Sequence, residues 1–155
     1  RELRTIYDVP LLYVLGNHDI RHDIEPPGCT EISRRIVTVK GFNFIGFSGS
    51  RWYNGNRNQY HEHEMRRQIR KLWFRLWRTK TIDVILTHSP PRGIHDAEDP
   101  CHKGFRCYNN FITRYRPRFF IHGHIHRLFD DPSDRISKIG QTKVINSYGY
   151  HIFEI

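Results

Sequence analysis

Phe119-Phe120-Ile121 runs directly into His122-Gly123-His124-Ile125-His126. An apolar run of this length is the signature of a short buried strand, and a glycine inside the histidine cluster permits a sharp turn that aims imidazoles inward. The pattern occurs twice more. Ile82-Asp83-Val84-Ile85-Leu86-Thr87 ends in His88-Ser89-Pro90-Pro91, and Leu11-Leu12-Tyr13-Val14-Leu15 ends in Gly16-Asn17-His18-Asp19. Ligand sites in open α/β sheets gather at the carboxyl ends of strands, so clusters far apart in the chain are expected to converge.

Between these landmarks the chain alternates. Arg1 to Tyr7 reads as the end of a helix, broken by Pro10. Ile36 to Val39, the turn Lys40-Gly41, and Phe42 to Phe47 read as a β-hairpin rich in β-branched and aromatic residues. From Glu62 to Lys80, Met65, Ile69, Leu72, Trp73, Leu76 and Trp77 recur at one helical face, which predicts a single amphipathic helix with basic outer faces. A second helix is expected from Lys103 to Arg116, with Tyr108, Phe111, Ile112 and Tyr115 inward and Pro117 ending it. Ile136 to Ile139, Lys143 to Asn146 and Tyr150 to Glu154 read as antiparallel strands. The sum is an α/β domain covering 1–155.

Composition narrows the function classes. The 155 residues carry 25 Lys+Arg against 16 Asp+Glu, a formal charge of +9, and 37% are hydrophobic. That is enough apolar residue for a packed core, which excludes a disordered chain. No apolar run approaches the roughly 18 residues of a membrane span. Cys29, Cys101 and Cys107 are too few and odd in number for a disulfide framework, so a reducing compartment, the cytoplasm by default, is expected. The positive charge suits anionic partners such as phosphate esters or nucleic acid. Imidazoles beside amide or carboxylate oxygens suit Zn, Mn or Fe better than Mg or Ca.

Gly16-Asn17-His18-Asp19, Thr87-His88-Ser89-Pro90-Pro91 and Gly123-His124-Ile125-His126, in this order and each after a strand, resemble the later motifs of the calcineurin-like metallophosphoesterases. Asp99 to Tyr115 is similar to the segment between the last two motifs in small bacterial members. The resemblance implies a four-layer α/β/β/α sandwich, two stacked mixed sheets flanked by helices, of which this chain holds an incomplete part. It implies hydrolysis of a phosphomono- or diester by a metal-activated water at two divalent ions (Mn, Fe or Zn), set about 3.5–4 Å apart in such centres. Asn17, His88 and His124 would hold one ion and His126 the second. His18 would stand beside the phosphate, stabilising charge or protonating the leaving oxygen, while Asp19 would brace the turn.

The family's opening Asp-x-His and its Gly-Asp, whose carboxylate bridges the ions, do not occur ahead of Gly16, and Asp8 stands in the wrong context for either. The expectation is therefore that the N-terminal portion of the domain lies outside this chain and that the chain holds at most one ion well. A non-catalytic nucleic-acid-binding module built on the basic helix 62–80 and a catalytically dead relative are the alternatives. In the loop from Ser48 to Tyr60, Arg51, Tyr53 and Asn54 are candidates to reach a phosphate. His122 and Asp96 are candidates to support the ligands from behind. His61-Glu62-His63-Glu64 reads as dipole compensation in a first helical turn, and Cys101-His102 and Cys107 match no familiar zinc spacing.

Overall fold

A computed structural model describes residues 9–20 and 27–155; the helix expected over Arg1 to Tyr7 falls outside them. The strands are β1 (Leu11–Tyr13), β2 (Cys29–Glu31), β3 (Ile36–Val39), β4 (Phe42–Phe47), β5 (Ser50–Arg51), β6 (Gln59–Tyr60), β7 (Val84–Thr87), β8 (Phe119–His122), β9 (Ile136–Ile139) and β10 (Thr142–Asn146). The helices are α1 (Glu62–Arg70), α2 (Trp73–Thr79) and α3 (Arg106–Tyr115), with a 3-10 turn at Pro132–Arg135.

Six strands form one mixed sheet in the order β3-β4-β7-β8-β10-β9. Its centre, β4-β7-β8-β10, is parallel, and the antiparallel β3 and β9 close the edges. The β3–β4 hairpin turns on Lys40 and Gly41, with φ of 49° and 85°, the pair of positive angles that lets a two-residue turn follow the strands' twist. Two parallel pairs, β1–β2 and β5–β6, stand apart from the large sheet. β1 is half-buried rather than fully buried as its sequence suggests; among the described residues β2 is the one strand paired with it.

The twofold alternation of strand side chains divides the core. Ile45, Phe47, Ile85, Phe120 and Val144 point to one face, where they meet Met65, Leu72, Leu76, Tyr108, Phe111 and Ile112 of the helical layer. Val84, Phe119 and Ile145 point to the other, where Phe44, Ile121 and Ile136 of the same face flank them and Phe153 packs over them. Each fully buried aliphatic or aromatic side chain contributes about 1.5–3 kcal/mol, so the helix face dominates stability.

Three further sequence expectations need correction. The helix over 62–80 is two helices: Leu72 N donates to Ile69 O at 3.0 Å, a tightened i→i−3 bond that ends one and starts the next. Leu72 and Leu76 continue the buried stripe, while Trp73 and Trp77 are 66% and 70% exposed. Second, Tyr150 to Glu154 forms no strand; Phe153 instead covers Phe119 at 4.8 Å between ring centroids. Third, α3 starts at Arg106 rather than Lys103, and it ends where Arg116 adopts the left-handed conformation just ahead of Pro117, a common helix terminus.

Candidate metal centre

The three histidine-bearing turns do converge. β4, β7 and β8 lie side by side and parallel, so the segments after β7 and β8 leave the same edge. They are tied directly, Gly123 N donating to His88 O at 3.1 Å. The Gly16 turn joins them through the loop after β4: Leu15 N donates to Ser48 Oγ, Gly49 N to Leu15 O, and Ser89 Oγ to Gly49 O. Asn58 Nδ2 donates to both Gly16 O and Asp19 O, at 3.0 and 2.9 Å. Gly16 is buried against the His88 ring, whose Cε1 would lie 3.0 Å from an added Cβ, so a side chain there would push on the His88 and Asp19 side chains.

At the meeting point Asn17 Oδ1 lies 2.8 Å from His88 Nε2, and the rings of His88 and His124 are 4.7 Å apart between centroids. Asn17 is buried, and its Nδ2 donates to Tyr53 Oη at 3.0 Å. The amide oxygen is thereby turned toward His88. His124 Nε2 donates to Cys101 O at 2.6 Å, which leaves Nδ1 as the ring's free lone pair. A backbone carbonyl holding one ring nitrogen of a histidine is the usual way a ligating tautomer is fixed. His124 also has a φ of 65°, an unfavoured angle for a residue with a side chain and of the kind stored at functional sites. An amide oxygen, an imidazole and a second imidazole with a fixed tautomer form a donor set that fits a borderline divalent cation.

The electrostatics agree with that geometry. Burial pushes the His88 imidazole down to about 4, with His124, His126 and His18 lowering it further and Asp19 opposing them. Burial also lowers His124, with the Cys101 carbonyl opposing and His102, His126 and His18 adding to the fall. Neutral imidazoles, the form that binds metal, are therefore favoured at both positions.

The other expected residues divide. Asp19 Oδ2 accepts from Gly16 N at 2.6 Å and closes the turn. His18 and His126 are exposed at the rim; His126 stacks on Tyr148 at 4.7 Å. Arg51 is committed elsewhere, in an ion pair with Glu62 at 2.6 Å and over the Phe105 ring. Asn54 is spent within its own loop, where its Oδ1 accepts from Gln59 Nε2 and Asn56 N. Asp96 braces none of the described histidines: its carboxylate accepts from Arg92, Gly93 N and Gly104 N and closes the loop after Pro91.

His122 is fully buried and turned away from Asn17 and His88. Its Nδ1 donates to Gly123 O at 2.9 Å, so its Nε2 accepts from His95 Nδ1 at 3.0 Å, and His95 Nε2 in turn accepts from Ser137 Oγ at 2.8 Å. This chain fixes both tautomers. His95 carried no signal in the sequence, standing between ordinary loop residues. Glu62 is a second residue whose role was hidden: its carboxylate accepts from Arg106 N and Cys107 N at 3.1 and 2.7 Å. It thus satisfies the free amides that open a helix, here those of α3, whose N-cap residue Phe105 offers no side-chain acceptor.

A six-stranded mixed sheet with Asn17, His88 and His124 gathered at one edge is an α/β arrangement whose clustered donors suit a metal ion. The chain belongs to the calcineurin-like phosphoesterase family, whose model matches residues 1–128. These proteins in general bind divalent metals. One solved structure is 23% identical with a TM-score of 0.55, the match covering 78% of this chain and 46% of the other. A second, the protein TT1561 of Thermus thermophilus, is 12% identical with a TM-score of 0.51, at 75% and 48% coverage. At these identities the likeness is one of fold, and the chain spans about half the length of both. No curated protein matches it. Among the described residues no helix is long and apolar enough to cross a membrane.

Proposed function

We propose that the chain carries part of the metal site of a phosphoesterase that hydrolyses a phosphomono- or diester with a metal-activated water. The approach of Asn17 Oδ1 to His88 Nε2, with the His124 ring beside them, carries the reading. Asn17, His88 and His124 would hold one divalent ion, of the Mn, Fe or Zn class, and His126 would serve a second. Such ions polarise the phosphoryl oxygens and supply a hydroxide nucleophile near neutral pH. His18, exposed at the rim within electrostatic reach of His88, steadies the phosphate or protonates the leaving oxygen. Tyr53 orients the Asn17 amide rather than meeting the ester.

Circular dichroism and turnover of an aryl phosphodiester in the complete protein test this. His88→Ala and His124→Ala should keep the fold and lose more than the ~10–100-fold typical of residues that only support a ligand. Retained turnover in both variants overturns the reading.

A second reading, nucleic acid as partner, is favoured by one observation. Trp73, Phe74 and Trp77 are exposed at 66%, 49% and 70% beside the exposed Arg70, Lys71, Arg75 and Arg78. Aromatic rings interleaved with cations suit stacked bases and phosphates of a single strand. Its mark is binding that weakens steeply with salt and with neutralisation of Arg70 and Lys71.

A further inference from the structure

The loop joining Pro91 to α3 carries three side chains that the phosphoesterase chemistry does not use. Asp99, Cys101 and His102 place a carboxylate oxygen, a thiol and a ring nitrogen within 4.8 Å of one another. Cys101 Sγ is 2.8 Å from Asp99 Oδ1 and 3.3 Å from His102 Nδ1, and His102 Nδ1 is 2.9 and 3.1 Å from the two Asp99 oxygens. Around a tetrahedral zinc, with Zn–S about 2.3 Å and Zn–N and Zn–O about 2.0–2.2 Å, such donors stand about 3.3–3.6 Å apart. The three pairs would need to open by about 0.3 Å for sulfur and ring nitrogen, about 0.5 Å for ring nitrogen and oxygen, and about 0.8 Å for sulfur and oxygen. The Asp99 and His102 side chains are 45% and 44% exposed, so they have room to do so and a cation has a path in.

We propose that Asp99, Cys101 and His102 form a second, thiolate-bearing cation site that takes zinc or a similarly borderline-soft divalent ion. The donor types select for it: sulfur with imidazole favours zinc over the hard cations magnesium and calcium. Three protein donors leave a fourth position for water. On binding, the thiol proton now shared with Asp99 is released to solvent and the His102 ring shifts its proton from Nδ1 to Nε2, so the cation is held by a thiolate, a carboxylate and a neutral imidazole. The site adjoins the Asn17–His88–His124 centre without sharing a ligand atom. The Cys101 carbonyl is the acceptor that holds His124 Nε2, and the His102 ring lies 5.4 Å from the His124 ring. An ion on the Cys101 thiolate therefore stiffens the peptide that fixes the tautomer of His124.

Cobalt(II) titration of the complete protein tests this, because a cobalt–thiolate bond gives a near-ultraviolet charge-transfer absorption that cobalt on Asn17, His88 and His124 cannot. The absorption should appear in the native protein, vanish in Cys101→Ser, weaken at least about tenfold in apparent affinity in His102→Ala, and persist in His88→Ala. Its absence from the native protein, or its survival in Cys101→Ser through Cys29 or Cys107, overturns the proposal. Neither result bears on the phosphoesterase reading, which rests on sulfur-free donors.

Discussion

Asn17 and His88, 71 positions apart in the chain, meet with the amide oxygen 2.8 Å from the ring nitrogen, and Tyr53 Oη accepts from the amide's other end. Tyr53→Phe removes the acceptor of Asn17 Nδ2 while leaving the ring. Calorimetric titration with Mn should show affinity falling about 10–100-fold, the range for residues that orient a ligand. The KM for an aryl phosphodiester at saturating metal should be unchanged. A raised KM with unaltered metal affinity would instead place Tyr53 on the substrate.

His122 makes folding stability depend on pH. Burial pushes its imidazole down to about 3, with the Gly123 carbonyl opposing, against about 6.5 in an unfolded chain. The unfolded state therefore binds more protons between these values. The stabilisation is fully present above about pH 6.5 and is lost as pH falls toward 3. His88 and His95, both lowered by burial, act with the same sign. Urea midpoints should fall steadily from pH 7 to pH 5, and His122→Gln should make that fall shallower without abolishing it. An unchanged slope would mean that the buried imidazole is not what titrates.

Gly49 has a φ of +84°, and an added Cβ would run into the Asn58 carbonyl and the Tyr60 ring. Gly93 has the same φ of +84° with nothing within 4 Å. Gly93→Ala should therefore cost only the backbone term, about 1–2 kcal/mol. Gly49→Ala should add overpacking of about 1–3 kcal/mol and loosen the loop that ties the Gly16 turn to Ser89. Chemical denaturation of the two variants measures the difference, and equal losses would refute the close approach.

Glu62 supports two elements, pairing with Arg51 and accepting from the first amides of α3. Glu62→Ala should destabilise by about 0.5–2 kcal/mol, as loss of a helix cap does. Glu62→Gln, which keeps an acceptor oxygen, should recover part of it. Thermal melting of both variants reads the effect, and no loss in Glu62→Ala would show that solvent serves those amides equally well.

The division between sequence and tertiary structure follows range. Strand runs, the hairpin, the position of α3 and the turns bearing Asn17, His88 and His124 were legible because each depends on the periodicity and turn chemistry of a few adjacent residues. Parallel strand order then carried the turns after β7 and β8 to one edge, and hydrogen bonds of Ser48, Gly49 and Asn58 brought the Gly16 turn to them. The sequence alone also singled out Asn17, His88 and His124, since histidines after three strands are a local pattern repeated three times. Only the folded chain decided the partners. Arg51 pairs with Glu62 instead of waiting for phosphate, Asp96 holds Arg92 and two amides instead of a histidine, and Trp73 and Trp77 turn outward once the helix breaks at Leu72. Which nitrogen of His124 is free was likewise settled by the Cys101 carbonyl. A side chain's hydrogen bond goes to whatever lies within about 3 Å in space, and that neighbour comes from a segment the local sequence does not specify.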